Sequence, residues 1–207
     1  SYLLSSRALF SSAISVASAI FENVTDYAFL KDLYNATFMM DYGFTQASSF
    51  NYYLVQACER ERMAPGTGLV FLEEKSRPQE EKDAFFNHPR KGRDLCKEYE
   101  SSFSFPEVID HVRFHHEKSD GSGFPSGHCY SGISRTETIM SFADYMAPFR
   151  EIFFRKGDGN EIFEAAFNGV KALEESQPTL LEPCLRSWEA ARAWVLESDI
   201  PTESEVA

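Results

Sequence analysis

A chain of 207 residues with 43% hydrophobic residues and 19 Phe is long and apolar enough to bury one core, which excludes a disordered protein. Its formal net charge of −12 argues against DNA, RNA or an anionic membrane as a partner, because phosphate backbones are held by many Lys and Arg side chains. The four cysteines are widely separated and show no paired CxxC spacing, which favours reduced thiols and predicts a cytoplasmic protein.

Hydrophobic periodicity predicts helices along most of the chain. The apolar stretch from Leu3 to Phe21 carries Arg7 and many serines, so we interpret it as a core helix and not as a membrane span or a signal peptide. Apolar residues then recur at three- and four-residue steps, which is typical of amphipathic helices. These further helices are predicted at 26–41, 46–62, 78–87, 89–99, 106–118, 134–150, 160–175 and 182–198.

Glycine and proline mark the interruptions between these helices. The run 64–68 ends one helix, and Leu69 to Leu72 is the one plausible strand, although it is too short to define a sheet. A glycine-rich turn at 120–127 separates two later helices. Because there is no internal repeat and no long linker, we predict an all-α fold with a single domain over 1–198 and an acidic tail over 199–207.

The histidines are the first candidates for chemistry. His115 and His116 lie at the end of the predicted helix 106–118, where both imidazoles can bend toward one metal ion. The local sequence equally allows two partly exposed histidines that are stabilised by the negative end of the helix dipole. His111 is not followed by the glutamate of an HExxH motif, so we interpret it as a packing or surface residue. His128 lies in a turn and is interpreted as structural or exposed.

The segment that begins at His115 favours the metal interpretation. Its sequence HHEKSDGSGFPSG closely resembles the HHE…DGxGYP signature of HD-GYP domains, whose members hydrolyse the bacterial second messenger cyclic di-GMP. His88-Pro89 followed by Gly92 is similar to the HPxxG segment of that family. The resemblance implies a single HD-domain-like helical bundle with a glycine-rich, GYP-type loop.

Two further segments extend the resemblance, which runs from about residue 8 to residue 156. Met39 to Phe44, with the sequence MMDYGF, is similar to the HDxGK segment after which the family is partly named. Asp144 stands in a helix at the usual distance beyond the HHE motif and resembles the later metal-binding aspartate.

The resemblance implies a complete set of ligands for one ion. In the family a bridging aspartate touches two metal ions, and Asp41 corresponds to it. One of these ions would be held by Asp41, His88, His115 and His116, all of which are kept. A site with three histidines and one carboxylate can bind a single divalent transition metal, for which we expect Fe or Mn before Zn or Ni.

The second ion of the family would lack its ligands in this chain. Of its three further ligands only Asp144 is kept, since Met40 and Ser12 stand where the family has histidines. A thioether is a poor ligand for such ions beside carboxylates, and a serine hydroxyl does not replace an imidazole. We therefore expect the second site to be empty.

Other departures remove groups that would act on a phosphate. Phe44 stands at the position of the lysine, Phe124 at that of the GYP tyrosine, and Phe153 at that of an arginine, while Lys156 corresponds to a nearby cation. Losing an ion and a lysine strips two positive charges from the transition state, and losses of this kind each cost about 10²-fold in rate. Efficient hydrolysis of cyclic di-GMP is therefore not expected.

Three functional hypotheses remain open. The first is a non-hydrolytic receptor or protein-interaction module in cyclic di-GMP signalling. The second is an active metal-dependent cyclic di-GMP phosphodiesterase with a non-standard metal centre. In the third, the site is a remnant and the domain only packs against its neighbours.

The first hypothesis assigns roles to two groups of residues. A diguanylate cyclase-type or other signalling protein would dock on a loop formed by Asp120, Gly121, Gly123, Phe124 and Pro125. If cyclic di-GMP binds, its phosphates would meet Lys156, Arg150 and Arg155. The same three cations could instead simply stabilise a helix end.

Overall fold

The computed structural model describes residues 2–47, 52–118, 120–127, 134–150, 159–176 and 182–197. These residues are mainly helical and contain no strand, which confirms the predicted all-α class. In chain order the α-helices are Tyr2–Phe21 (α1), Tyr27–Met39 (α2), Tyr52–Met63 (α3), Thr67–Glu74 (α4), Gln79–Lys97 (α5), Glu107–His111 (α6), Arg135–Met146 (α7), Gly159–Ser176 (α8) and Glu182–Glu197 (α9). Short 3-10 helices cover Met40–Gln46, Glu100–Ser102, Val112–Phe114 and Ala147–Phe149.

Four predicted elements differ clearly from the structure. The strand expected from Leu69 to Leu72 is wrong, because this stretch belongs to α4, whose residues Phe71 and Leu72 are buried in the core. The helices predicted at 78–87 and 89–99 are one helix, α5, which continues through Pro89. The helix predicted at 106–118 is shorter, since α6 passes into the 3-10 helix Val112–Phe114 and His115 follows in a turn. The acidic tail predicted at 199–207 lies outside the described residues.

Two apolar clusters form the core. The larger contains side chains from α1, α2, α5, α6, α7, α8 and α9, and includes Met40. The smaller joins α3, α4 and α5 to Phe44 and includes Cys58 and Phe85. The 3-10 helix Met40–Gln46 contributes Met40 to the larger cluster and Phe44 to the smaller one. Asp41 therefore lies at the boundary of the two clusters.

Helix α1 packs against α2, α7 and α9. By length and composition its stretch Leu4–Phe21 could cross a membrane, and half of that stretch is buried inside the structure. The buried side chains of α1 include Arg7 and the serines Ser11, Ser12, Ser15 and Ser18. This packing agrees with a core helix, whereas the cytoplasmic location stays a prediction.

Two glycines set how closely α5 approaches the 3-10 helix Met40–Gln46. A methyl group on Gly43 would collide with the carbonyl oxygen of His88, and one on Gly92 would collide with the carbonyl oxygen of Met40. Only glycine leaves room for two backbones at this distance. The close approach brings the Asp41 carboxylate to within 3.4 Å of the His88 ring.

Replacing Gly92 with Ala tests this approach. In a helix interior alanine ordinarily stabilises by about 0.5–1 kcal/mol relative to glycine. Here the added methyl group overpacks the crossing, so we expect the free energy of unfolding to fall by about 1–3 kcal/mol in urea denaturation. Asp94→Ala, at an exposed position of the same helix, is the control and should change it by less than about 1 kcal/mol. A stabilised Gly92→Ala protein would contradict the close approach.

Candidate metal centre

Four side chains that the sequence predicts as metal ligands converge in the structure. Asp41 comes from the 3-10 helix Met40–Gln46, His88 from α5, and His115 and His116 from the turn after Val112–Phe114. The His88 Nε2 atom lies 3.3 Å from His115 Nε2 and 3.4 Å from Asp41 Oδ1, and His115 Nε2 lies 3.7 Å from the same oxygen. None of the four residues is more than 1% exposed. Nitrogen and oxygen donors that lie this close together in a buried pocket fit a metal ion.

The backbone sets the orientation of the His88 ring. Pro89 has no N–H group, so the Phe85 carbonyl that would accept from it in a regular helix remains available. The His88 Nδ1 atom lies 2.6 Å from that carbonyl oxygen and must donate to it, because a carbonyl can only accept. The neutral ring then carries its proton on Nδ1 and directs the Nε2 lone pair into the pocket.

The His115 ring is held in the same way. Its Nδ1 atom lies 2.5 Å from the carbonyl oxygen of Val112, at the end of a helical segment where carbonyls lack helical partners. The lone pairs of His88 Nε2 and His115 Nε2 therefore face each other across 3.3 Å. When both rings are neutral, these two acceptors repel at this distance, and a proton or a metal ion between them relieves the repulsion, so the pair fits a bound ion.

The Asp41 carboxylate has one oxygen engaged and one available. Its Oδ1 atom is buried and accepts no hydrogen bond from the described residues. A buried carboxylate oxygen without a donor carries an uncompensated desolvation penalty, which a metal ion would relieve. Oδ1 is also the oxygen that faces His88 and His115.

Arg7 engages the other oxygen and links Asp41 to Asp144. Its Nε atom donates to Asp41 Oδ2 at 2.6 Å, and its terminal nitrogen donates to Asp144 Oδ1. The guanidinium is completely buried. One planar cation thus bridges the two carboxylates that the family resemblance associates with a second metal ion.

A second arginine completes the surroundings of Asp144. Arg62, from α3, donates to Asp144 Oδ2 and to the carbonyl oxygen of His115, and its guanidinium lies 4.3 Å above the ring of Tyr145. The structure therefore places Asp144 beside the histidines, as predicted, with His116 Nε2 at 3.7 Å from its Oδ2. Both of its oxygens, however, already accept from arginines.

The charges in the cluster stabilise one another. Burial lowers the pKa of Arg7, but Asp41 and Asp144 outweigh this effect and raise it well above its usual value. Burial raises the pKa of Asp41, but Arg7 together with the neighbouring His115 and His88 rings outweighs it and holds the pKa well below its usual range. Asp41 and Arg7 are therefore both ionised at neutral pH and form a buried ion pair.

Burial lowers the pKa of two of the histidines and so favours their uncharged form. It lowers the pKa of His88, and Asp41 only partly offsets the effect. It lowers the pKa of His116 still further, with a contribution from the nearby charge of Arg62. Both rings are therefore neutral at physiological pH, which is the form that binds metals.

A cysteine that the sequence did not single out also lies in the pocket. The Cys58 Sγ atom, from α3, lies 3.6 Å from His116 Nε2 and 4.0 Å from His88 Nε2. Asp41, Cys58, His88 and His116 form one group whose donor atoms all lie within 4.8 Å of one another. Asp41, His115, His116 and Asp144 form a second such group.

Two phenylalanines at departures from the family pattern cover the histidines. Phe44 stacks on His88 with the ring centres 4.0 Å apart, and Phe124 stacks on His116 with the centres 4.4 Å apart. Phe124 also contacts Phe85 and Phe86. These rings surround the donors with apolar surface and shield the pocket from water.

The loop from Asp120 to Gly127 folds back over the pocket. A methyl group on Gly123 would collide with the backbone of His116 and Lys118, so glycine is required there. The Glu117 carboxylate accepts from the N–H groups of Ser126 and Gly127 at 2.6 and 3.1 Å. Among the residues predicted for docking, Asp120 is exposed, Gly121, Gly123 and Pro125 are partly buried, and Phe124 packs on His116.

Of the three cations predicted for phosphate binding, the structure describes only Arg150. Arg150 is buried and donates to Glu59 and to the carbonyl oxygen of Ala147. Its guanidinium is therefore engaged within the fold and does not face solvent. Arg155, Lys156 and Phe153 lie outside the described residues. The predicted role of these cations remains untested.

Three other residues considered from the sequence have contacts outside the group of metal-binding atoms. The His111 ring packs against Glu137 and Ser134 at 3.0 and 3.2 Å, which agrees with a packing role. The Ser12 hydroxyl donates to the Ala8 carbonyl within its own helix, and Met40 belongs to the larger core cluster. His128 lies outside the described residues.

Sequence reasoning missed Arg7, Arg62 and Cys58 as members of this cluster. An ion pair of Arg7 could have been predicted from the sequence, because an arginine in an apolar core helix needs a buried carboxylate as its partner. Cys58 and Arg62 lie four residues apart on α3 and thus share one face, but this spacing does not indicate what the face contacts.

Comparison of the chain with protein-family models, with curated proteins and with solved structures finds no match.

The lowered pKa values of His88 and His116 predict how metal-free protein responds to acid. A histidine whose pKa is lower in the folded state binds fewer protons when folded than when unfolded. The free energy of unfolding should therefore be unaffected by these groups above about pH 6.5, the unfolded pKa, and fall as the pH drops below it. Chemical denaturation with a chelator at pH 8 to 5.5 measures this.

Two variants test whether His88 and His116 cause this loss of stability at acidic pH. The double variant His88→Gln/His116→Gln should lose less stability between pH 7 and 5.5 than the unmodified protein. His111→Gln, which removes a histidine outside the cluster, should keep the original slope. An equal slope in the double variant would show that these two histidines do not carry the acid sensitivity.

Removing the bridging arginine should strongly destabilise the fold. Arg7→Met leaves two buried carboxylates short of a partner, and removing one member of a buried ion pair typically costs about 3–5 kcal/mol. Guanidinium denaturation would measure the loss. The control Arg186→Met removes an exposed pair with Glu182 and should change stability by no more than about 0.5 kcal/mol. Similar small effects of both substitutions would contradict the bridging role.

Proposed function

We propose that this protein is a degenerate HD-GYP-like domain that binds one divalent transition-metal ion and acts in cyclic di-GMP signalling without hydrolysing the messenger. The observation that carries the proposal is the position of Arg7. Its guanidinium bonds to Asp41 and to Asp144, between which the family resemblance implies a second ion.

The first part of the proposal is that the domain binds a single metal ion. Asp41 Oδ1 and the Nε2 atoms of His88, His115 and His116 would hold it. Support comes from the unpartnered Asp41 Oδ1 and from the two imidazole lone pairs 3.3 Å apart. When bound, such an ion supplies Lewis acidity and cross-links three separate elements of the fold.

The second half is the absence of hydrolysis. Phosphodiester cleavage by two-metal enzymes uses both ions to activate water and to neutralise the developing charge. Arg7 and Arg62 donate to both oxygens of Asp144, and Arg7 donates to Asp41 Oδ2, so Asp41 Oδ1 is the one oxygen of these two carboxylates without a hydrogen-bond donor among the described residues and is the most available to a metal. A guanidinium neutralises carboxylates, but it does not bind or deprotonate a water as a metal does.

Burial of the pocket also argues against hydrolysis. The four proposed ligands are at most 1% exposed, and Phe44 and Phe124 stack on two of them. A phosphodiester substrate would need to reach the ion, and these rings block the way in this conformation. We therefore assign the ion a structural role, in which it holds the loop 120–127 against the domain.

That loop is the proposed contact for a signalling partner such as a diguanylate cyclase domain. Asp120, Ser122 and Gly127 are exposed, while Gly123 and Glu117 fix the loop backbone on the inner side. A loop that is anchored from within can present a defined outer surface at little entropic cost. In this proposal the metal would act on partner binding indirectly, through His116 and the ring of Phe124 stacked on it.

Metal content and turnover test the proposal on the full chain. Protein purified without chelator and supplied with Fe²⁺ or Mn²⁺ should contain one ion per chain by elemental analysis. Incubation with cyclic di-GMP should give no linear dinucleotide above the level of a His116→Ala control. Calorimetric titration of the same samples with cyclic di-GMP separates a receptor, which binds without turnover, from an interaction module, which does not bind.

The contrary results are distinct. Two ions per chain, or turnover well above the His116→Ala control, would favour the active phosphodiesterase. Protein that binds no transition metal would refute the metal centre and leave a packing domain with a remnant site.

A further inference from the structure

We propose that Cys58 is a thiolate ligand of the same metal ion, which makes the centre a mixed imidazole, carboxylate and thiolate site that selects Zn(II) or Fe(II) over Mn(II). This inference rests on the proposed single-ion site and adds a ligand that the HD-GYP resemblance does not supply.

The distances are those of a coordination sphere. With zinc–nitrogen bonds of about 2.0–2.1 Å and a zinc–sulfur bond of about 2.3 Å at tetrahedral angles, two nitrogens lie about 3.3 Å apart and a nitrogen and a sulfur about 3.6 Å apart. The separation of His88 Nε2 from His115 Nε2 is 3.3 Å, and that of Cys58 Sγ from His116 Nε2 is 3.6 Å. Cys58 Sγ lies 4.0 Å from His88 Nε2, which is wider than a tetrahedral angle gives and fits the larger angles of a five-ligand site. Asp41, Cys58, His88 and His116 also contribute mutually adjacent donor atoms.

Without an ion, burial and the nearby Asp41 raise the pKa of the Cys58 thiol well above its usual value, so an anionic sulfur requires the positive charge of a bound ion. The buried or partly buried ion pairs around it set three arginines against three carboxylates: Arg7, Arg62 and Arg150 against Asp41, Asp144 and Glu59. A divalent ion therefore adds two uncompensated positive charges to a medium of low dielectric constant. A thiolate at Cys58 reduces this excess to one, and the thiol proton leaves for solvent as the metal enters.

The surroundings of Cys58 are compatible with a sulfur that serves as a metal ligand. Cys58 is completely buried, free of a disulfide, and packed in the smaller core cluster beside Phe44. It is held on α3, the helix that also carries Arg62. A sulfur on a rigid helix, shielded from solvent, is ordered enough to coordinate without further rearrangement.

Ligand softness then determines which metals bind well. Thiolates prefer Zn and Fe, whereas Mn prefers carboxylate, carbonyl and water oxygens. Removing the sulfur should weaken Zn(II) binding by more than about 100-fold, because even outer-sphere partners of a metal site contribute about 10- to 100-fold. Mn(II) binding should change much less.

Cobalt substitution tests the inference directly. Co(II) added to metal-free full-length protein should give one equivalent bound and a near-ultraviolet absorption band from sulfur-to-cobalt charge transfer. Cys58→Ser should bind Co(II) without that band, and Cys58→Ala serves if the serine variant does not fold. The control Cys96→Ser removes another free, fully buried cysteine that belongs to the larger core cluster, and it should keep the band.

The outcomes separate this inference from the proposed function. Bound Co(II) without the band, or a band that survives in Cys58→Ser and Cys58→Ala, would refute the thiolate ligand and leave the single-ion site standing. Failure of the unmodified protein to bind Co(II) at all would refute both.

Discussion

Two carboxylates, Asp41 and Asp144, are buried side by side, and the structure depends on how their charge is neutralised. Arg7 bonds to both, across 34 and 137 residues of sequence, and thereby ties α1 to the 3-10 helix Met40–Gln46 and to α7. Either carboxylate alone in this pocket would carry a desolvation penalty of several kcal/mol. Because a guanidinium has several donors in one plane, a single side chain can satisfy two acids that two-metal enzymes satisfy with metal ions.

Local backbone features direct the remaining donors inward. Pro89 leaves the Phe85 carbonyl without its helical partner, and a short helical segment leaves that of Val112 near His115, so each carbonyl can accept from an imidazole. The Gly43–Gly92 crossing brings Asp41 to these rings. The fold thus preorganises the metal-binding atoms. These atoms offer more lone pairs than the surrounding groups offer hydrogen-bond donors, which explains why a cation fits there.

The parts of the site that short motifs encode could be predicted from the sequence. His88-Pro89, His115-His116 and Asp41 were expected to meet, and they do, because each motif determines its own local geometry. The interactions of Arg7 and Cys58 could not be derived in this way, since both depend on residues far away in the chain. The strand expected from Leu69 to Leu72 was wrong because a short apolar run is ambiguous, and burial against α3 favours the helix.

Under the proposed function, the same cluster would account for a lack of phosphodiesterase activity in a chain that resembles HD-GYP domains. In this proposal the groups that remain would bind and orient a metal ion. Met40 and Ser12 stand where the resemblance implies histidines of a second ion, and Arg7 bonds to the two carboxylates. Anomalous diffraction from crystals of the metal-loaded protein tests this most directly. We predict one peak beside Asp41 Oδ1 and the histidine Nε2 atoms, with Arg7 still bonded to Asp41 and Asp144. Two peaks that share Asp41, with the guanidinium displaced, would contradict it.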